Sequence, residues 1–204
     1  LTKRLCKNAL FHCDMVQGFG KTGDTVKDLG VDLLSVSGHK IHAPKGVGAL
    51  YVKNGVKINN ILFGGGQEKG MRSGTENVPA IAAFGVAAEE ALERTAKLSN
   101  FVKNSLSEIE GIVFNSPDDA LPYIVNFSLP KVPSEVMIHF LEEYGIFVSG
   151  GSACSKGKRS HALSAQNLSP EIIDSAIRVS FSHDTTEQQA AAFAECVKSG
   201  AKIL

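Results

Sequence analysis

The chain has 204 residues, 43% of them hydrophobic and 21% charged, a balance that excludes a disordered chain and supports one or two domains with a buried core. Lys plus Arg and Asp plus Glu number 21 each, with no long run of one sign, so the charge pattern excludes nucleic acid and anionic membranes as partners. Apolar stretches such as 81–88 end far short of the roughly 20 residues of a membrane-spanning helix, and Cys6, Cys13, Cys154 and Cys196 show no paired spacing, which points to reduced thiols in a cytoplasm.

Taken in chain order, short apolar runs alternate with helical patterns, the texture of an α/β or α+β arrangement. Strands are expected at 10–13, 32–36 and 48–52. The segment 63–77 is too rich in glycine for a helix or a plain strand and is expected to be a shaped loop. Asn77 caps a helix with Pro79 in its first turn and Ile81, Phe84, Gly85 and Ala88 on one face. A second helix places Leu98, Phe101, Val102 and Ile109 at helical spacing and ends at Gly111.

Further strands are expected at 112–115, 123–129, 146–149 and 178–182. A helix opens at Pro133 and Ser134, carries Met137, Phe140, Leu141 and Tyr144 as an apolar stripe, and stops at Gly145. Ser169 and Pro170 open a short helix, and Thr186 with Gln189 forms a capping box for the last one. The expected division is at 86/87, a first domain of 1–86 and an α+β domain of 87–204.

The residues with chemical potential cluster at strand ends. Lys40 follows the second strand in Ser37-Gly38-His39-Lys40, where it reads as a solvated lysine or as a Schiff-base amine. Asp14 ends the first strand, where a turn former or helix cap is the commoner role. An acid and a lysine at neighbouring strand ends could together serve a cofactor with a pyridinium nitrogen and an aldehyde, which is pyridoxal phosphate. Arg178 reads as a surface arginine or as a carboxylate clamp. His39 and His42 lack a third ligand, so no metal is expected, and Gly64, Gly65 and Gly66 lack the Gly-Lys-Ser/Thr ending of a nucleotide-phosphate loop.

These segments resemble one family. His12-x-Asp14-x-x-Gln17, Ser37-x-His39-Lys40, Pro44-Lys45-Gly46-x-Gly48-x-Leu50-Tyr51, Gly64-Gly65-Gly66-Gln67-Glu68, Arg72-x-Gly74-Thr75-Glu76-Asn77, Gly151-Ser152-Ala153-Cys154-Ser155 and Arg178-Val179-Ser180 are similar, in this order, to bacterial-type cysteine desulfurases of the class-V aminotransferase family. The resemblance implies an α/β fold: the C-terminal part of the large domain of a fold-type I pyridoxal-phosphate transferase, followed by a complete α+β small domain carrying a cysteine loop.

It also implies roles. Lys40 holds pyridoxal 5'-phosphate as a Schiff base and moves protons at the substrate α-carbon; Asp14 pairs with the pyridinium nitrogen and Gln17 with the phenolic oxygen. Ser37 and His39 serve the phosphate, and Thr75 reaches the phosphate of a partner subunit, implying a homodimer. Arg178 clamps the carboxylate of L-cysteine, with Asn126 in the same pocket. Cys154, next to Lys156, Lys158 and Arg159 that favour a thiolate, takes up sulfur as a persulfide for an acceptor or iron–sulfur scaffold protein. The basic stretch 156–159 departs from the family's usual loop. Other fold-type I pyridoxal-phosphate enzymes, an aminotransferase or a selenocysteine lyase, need Asp14 and Lys40 but no thiol loop.

Leu at position 1, with no Met before Met15, and the short stretch ahead of Asp14 give the expectation of a piece lacking the N-terminal half of such an enzyme. Such a piece could be inactive alone, or a non-catalytic remnant with a dimerisation or scaffold surface.

Overall fold

The apolar run that leads into Ser37 and Gly38 becomes the middle strand of a mixed sheet. β1 (His12–Asp14) lies parallel to β2 (Leu33–Ser37), with Asp14 opposite Ser35, and β3 (Gly48–Val52) runs antiparallel to β2, with Ser37 opposite Gly48. The two-residue period sorts the side chains. Cys13, Leu34, Val36 and Tyr51 share the face that packs with Met15 and Val31, whereas His12, Asp14, Ser35 and Ser37 share the other. The computed structural model describes residues 2–90, 95–150 and 159–204, and the chain divides into two units, Leu1–Leu92 and Glu93–Leu204.

In the first unit, α1 (Thr2–Leu5) leads to β1, and α2 (Val26–Leu29) is held by a capping box between Thr25 and Asp28. A 3-10 turn, Gly38–Ile41, leaves β2. The glycine-rich segment is a loop, as its composition requires, with a 3-10 turn at Glu68–Gly70. Asn77 Oδ1 accepts from the Ala80 N–H at 3.3 Å and starts α3 (Val78–Glu90), which packs against the Gly38–Ile41 turn. Phe84 meets Phe19 edge-on at 5.9 Å between ring centroids. Within this unit only Ala80 of α3 is buried; of the expected stripe Phe84 and Ala88 are half-buried, and Ile81 and Gly85 are exposed.

Asp32, just ahead of β2, is a buried carboxylate. It accepts the Phe11 N–H at 2.8 Å and pairs with Lys3 and, at 3.6 Å, with Lys53. The hydrogen bond from Lys3, then the one from Phe11, hold its pKa below the ordinary carboxylate value. A carboxyl with a lowered native pKa stabilises the fold above its unfolded pKa and loses that contribution as pH falls through the native value. Asp32→Asn is therefore expected to lower Tm by several degrees at pH 7, with the gap to wild type closing below about pH 4. Thermal scans across that range check it; a gap independent of pH would contradict the assignment.

The second unit is an antiparallel sheet under helices. β4 (Val113–Phe114), β5 (Ile124–Ser128) and β6 (Ala176–Ser180) lie in that order, with Asn126 opposite Arg178. Val125, Phe127, Ile177 and Val179 point to the face packed by α4 (Thr95–Leu106), α5 (Ser134–Glu143) and α8 (Glu187–Ile203), where Val102, Leu106, Met137, Leu141 and Val197 are fully buried. Each such side chain contributes roughly 1.5–3 kcal/mol on burial. Gly200 permits the close approach of α8 to α5, since a Cβ there would lie 2.8 Å from Met137 Sδ. On the other face, α6 (His161–Ala165) and α7 (Pro170–Asp174) cover Ala176 through Leu163 and Ile173.

Three expectations for this unit change. The helix expected to reach Gly111 ends at Leu106, where the Ser107 hydroxyl takes the Asn104 carbonyl at 2.7 Å, and Ile109 joins the core from the following turn. The strand expected at 146–149 is a single bridge, Ser149 to Arg178, because the Ile146 N–H is held by the Leu141 carbonyl at the end of α5. Tyr144 leaves the apolar stripe, 63% exposed, and packs against Phe140 at 5.2 Å. No helix among the described residues is long and apolar enough to cross a membrane.

Candidate active site

Because β1 and β2 run parallel, their carboxyl ends open on one edge of the sheet, the place where ligands of open α/β sheets bind. From β1 that edge receives Asp14 and, on the following turn, Gln17; from β2 it receives Ser37, His39 and Lys40. Asp14 and Gln17 are exposed. Asp14 Oδ1 accepts the Val16 N–H at 3.0 Å, and its second oxygen has no partner among the described residues. Ser37 Oγ and His39 Nδ1 share a hydrogen bond of 2.8 Å, which orients the exposed imidazole.

The turn that carries Lys40 is fixed by its backbone. Gly38 donates to the Val47 carbonyl at 2.9 Å, and Ala43 returns to the Gly38 carbonyl at 3.1 Å. Only glycine fits at 38: a Cβ would lie 2.9 Å from Val47 Cγ1 and 3.0 Å from Ala43 Cβ. Lys40 is half-buried, and among the described residues its amine has neither a hydrogen bond nor an ion pair.

The neighbour of Lys40 that sequence reasoning missed is Lys21. It sits on the turn after β1, half-buried, with its N–H on the Gly18 carbonyl at 2.9 Å. Burial, and then the charge of Lys40, push its amine below the ordinary lysine pKa. The available signal was its place seven residues after Asp14, on a turn that must open on the same edge as Lys40.

Pyridoxal phosphate fits this donor set. The edge offers an amine for an aldehyde, a carboxylate oxygen for a ring N–H, an amide for a phenolic oxygen, and a hydroxyl with an imidazole for a phosphate. Thr75 lies elsewhere in the unit, exposed in the loop before α3, where Gln67 Oε1 holds the Gly74 N–H at 3.0 Å.

In the second unit, the expected site residues Asn126 and Arg178 stand side by side on β5 and β6. Arg178 lies at the middle of its strand, which begins at Ala176, two residues before the expected start, and is bonded through its backbone to Ser149 on the far side. Its Nε is buried and has no acceptor among the described residues. A guanidinium N–H left open in this way suits a carboxylate.

Cys154, with Lys156 and Lys158, lies outside the described residues. Arg159 is described, and it is paired within its own unit. Its Nε and Nη2 bind both oxygens of Asp174 at 2.8 and 2.6 Å, so its charge is matched in α7. Of the other cysteines, Cys6 is exposed, Cys13 and Cys196 are half-buried, and burial pushes the Cys196 thiol up.

Comparison with known proteins identifies the family. The family described as Aminotransferase class-V matches residues 1–193. The cysteine desulfurase IscS of Clostridium botulinum is 42% identical over 199 residues, covering 90% of this chain and 50% of that protein. Among solved structures, a NifS-like protein superposes with a TM-score of 0.87 at 34% identity, over 99% of this chain and 55% of the other. The NifS-like protein from Rickettsia africae gives 0.84 at 33% identity, over 100% and 56%. The chain spans about half the length of the curated relatives it matches. With the family pattern running across nearly its whole length, the chain belongs to the class-V aminotransferases, with the fold of their pyridoxal-phosphate-dependent members.

Proposed function

We propose that this chain carries the lysine, carboxylate clamp and sulfur-accepting thiol of a cysteine desulfurase. The observation that carries the reading is Lys40: a half-buried amine without a counter-ion among the described residues, on the sheet edge that also receives Asp14. The names and 39–42% identity of the curated relatives supply the desulfurase assignment.

In this reading residues 1–86 belong to the cofactor domain and 87–204 to the small domain. When bound, pyridoxal phosphate supplies an electron sink for the substrate carbons. Lys40 would hold the aldehyde carbon and move protons at the substrate α-carbon. Asp14 would keep the ring nitrogen protonated, Gln17 would orient the phenolic oxygen, and Ser37 and His39 would hold the phosphate, with Thr75 serving the phosphate of a partner subunit in a homodimer. Arg178 fixes the α-carboxylate of L-cysteine, beside Asn126.

The Cys154 thiolate attacks the substrate sulfur. The new S–S bond forms as the Cβ–S bond breaks, the bonding pair returns to Cβ, and a proton completes alanine. One L-cysteine thus gives one alanine and one Cys154 persulfide, with no external oxidant. The persulfide passes to an acceptor, such as an iron–sulfur scaffold protein, in the cytoplasm.

The test supplies the full-length protein with pyridoxal phosphate, L-cysteine and a thiol reductant. Alanine and sulfide are expected in equal amounts. An aminotransferase would need a keto acid and release no sulfide, a selenocysteine lyase would act on selenocysteine alone, and either result would overturn the proposal.

A further inference from the structure

One face of the second sheet carries a line of polar side chains that ends at Asn126 and Arg178. Asn115 follows β4, and its N–H binds the Asn126 carbonyl at 2.9 Å, so the two asparagines face each other; Asn126 in turn faces Arg178 across β5 and β6. Asn115 Nδ2 donates to Asn126 Oδ1 and to Ser128 Oγ, both at 2.7 Å, and Ser128 Oγ donates to the Ile172 carbonyl of α7 at 2.7 Å. Ser128 is fully buried and Asn115 nearly so.

The direction of these bonds is dictated from the α7 end. A backbone carbonyl only accepts, so the single proton of Ser128 goes to Ile172. Ser128 then meets Asn115 as an acceptor, which requires Asn115 to turn its NH2 group toward it. The second proton of that NH2 group goes to Asn126, which must present Oδ1. Asn126 is left with its own NH2 group for whatever lies on the Arg178 side. Asn115 Oδ1 is buried without a partner, yet turning this amide over would set two acceptors, Asn115 Oδ1 and Ser128 Oγ, against each other.

We infer that Ser128 and Asn115 are positioning residues that lock the Asn126 amide as a hydrogen-bond donor beside Arg178, so that the pair receives a carboxylate and rejects its amide. The inference rests on the reading that Arg178 binds the substrate carboxylate. Asn115→Asp tests it, because a carboxylate of the same size accepts only and forces Asn126 to turn its carbonyl toward Arg178.

The readout is NMR titration of the full chain with L-alanine, and with L-alaninamide as the probe lacking a carboxylate. L-Alanine is expected to shift the Arg178 Nε–H and the Asn126 NH2 together, and L-alaninamide neither. Asn115→Asp is expected to weaken L-alanine about tenfold or more, the loss of one hydrogen bond to a charged group. Unchanged affinity in a folded Asn115→Asp, or a shift at Arg178 alone, overturns the inference and leaves the role of Arg178 standing. Unchanged affinity in Arg178→Met overturns that role, and the inference with it. Should Asn115→Asp fail to fold, the wild type decides: contacts from the Asn126 NH2 protons to the Arg178 side chain support the lock, and contacts to Asn115 overturn it.

Discussion

Lys40→Ala is expected to remove covalent attachment of pyridoxal phosphate and to lower turnover of L-cysteine by about 10³- to 10⁴-fold. The geometry explains why no neighbour can substitute. Lys40 is set by a 3-10 turn whose first residue tolerates no side chain, and that turn leaves the middle strand at the edge where Asp14 emerges. Lys21 lies close enough for the two charges to interact, yet it stands on the exit of a different strand. Borohydride reduction followed by peptide mass mapping gives the check. A cofactor adduct is expected on Lys40 in the wild type and absent in Lys40→Ala. Lys40→Arg should fail equally, because a guanidinium keeps the charge but offers no neutral amine. An adduct that moved to Lys21 with activity retained would contradict the assignment.

What the sequence made legible follows from local rules. Capping residues announce themselves, so the starts of α3, α7 and α8 at Asn77, Ser169 and Thr186 could be read directly. The placement of Asp14 and Lys40 at neighbouring strand ends was equally readable, since each follows an apolar run. Competition for backbone groups and pairing between distant side chains were not. Ile146 has the composition of a strand residue, and only the capture of its N–H by Leu141 removes it from the sheet. The Arg159–Asp174 pair spans 15 residues and belongs to no periodic pattern. The polar line from Ile172 to Asn126 joins three separate segments, and Asn115 and Ser128 carry no local sign of it.

Cys154→Ala separates sulfur transfer from the rest of the chemistry. It is expected to abolish persulfide on the protein and to cut alanine formation from L-cysteine at least about 100-fold, while the adduct on Lys40 persists. The reason lies in the electrophile. Persulfide forms from L-cysteine only when a soft, anionic nucleophile attacks its sulfur, and a thiolate is that nucleophile near neutral pH whereas a serine hydroxyl is not. Cys154→Ser should therefore behave as Cys154→Ala. Cys13 and Cys196 are not expected to restore transfer. Cys13 lies on the sheet face packed with Met15 and Val31, opposite the face of Asp14, and Cys196 sits in α8 with a thiol that burial makes harder to ionise. With the Arg159 guanidinium bound to Asp174, Lys156 and Lys158 are expected to contribute more than Arg159 to the Cys154 thiolate. Rates of persulfide formation against pH test this last step: Arg159→Ala should leave the profile in place, and Lys156→Ala with Lys158→Ala should move it to higher pH. Alanine formation undiminished in Cys154→Ala would point instead to a lyase that releases its product without a protein thiol.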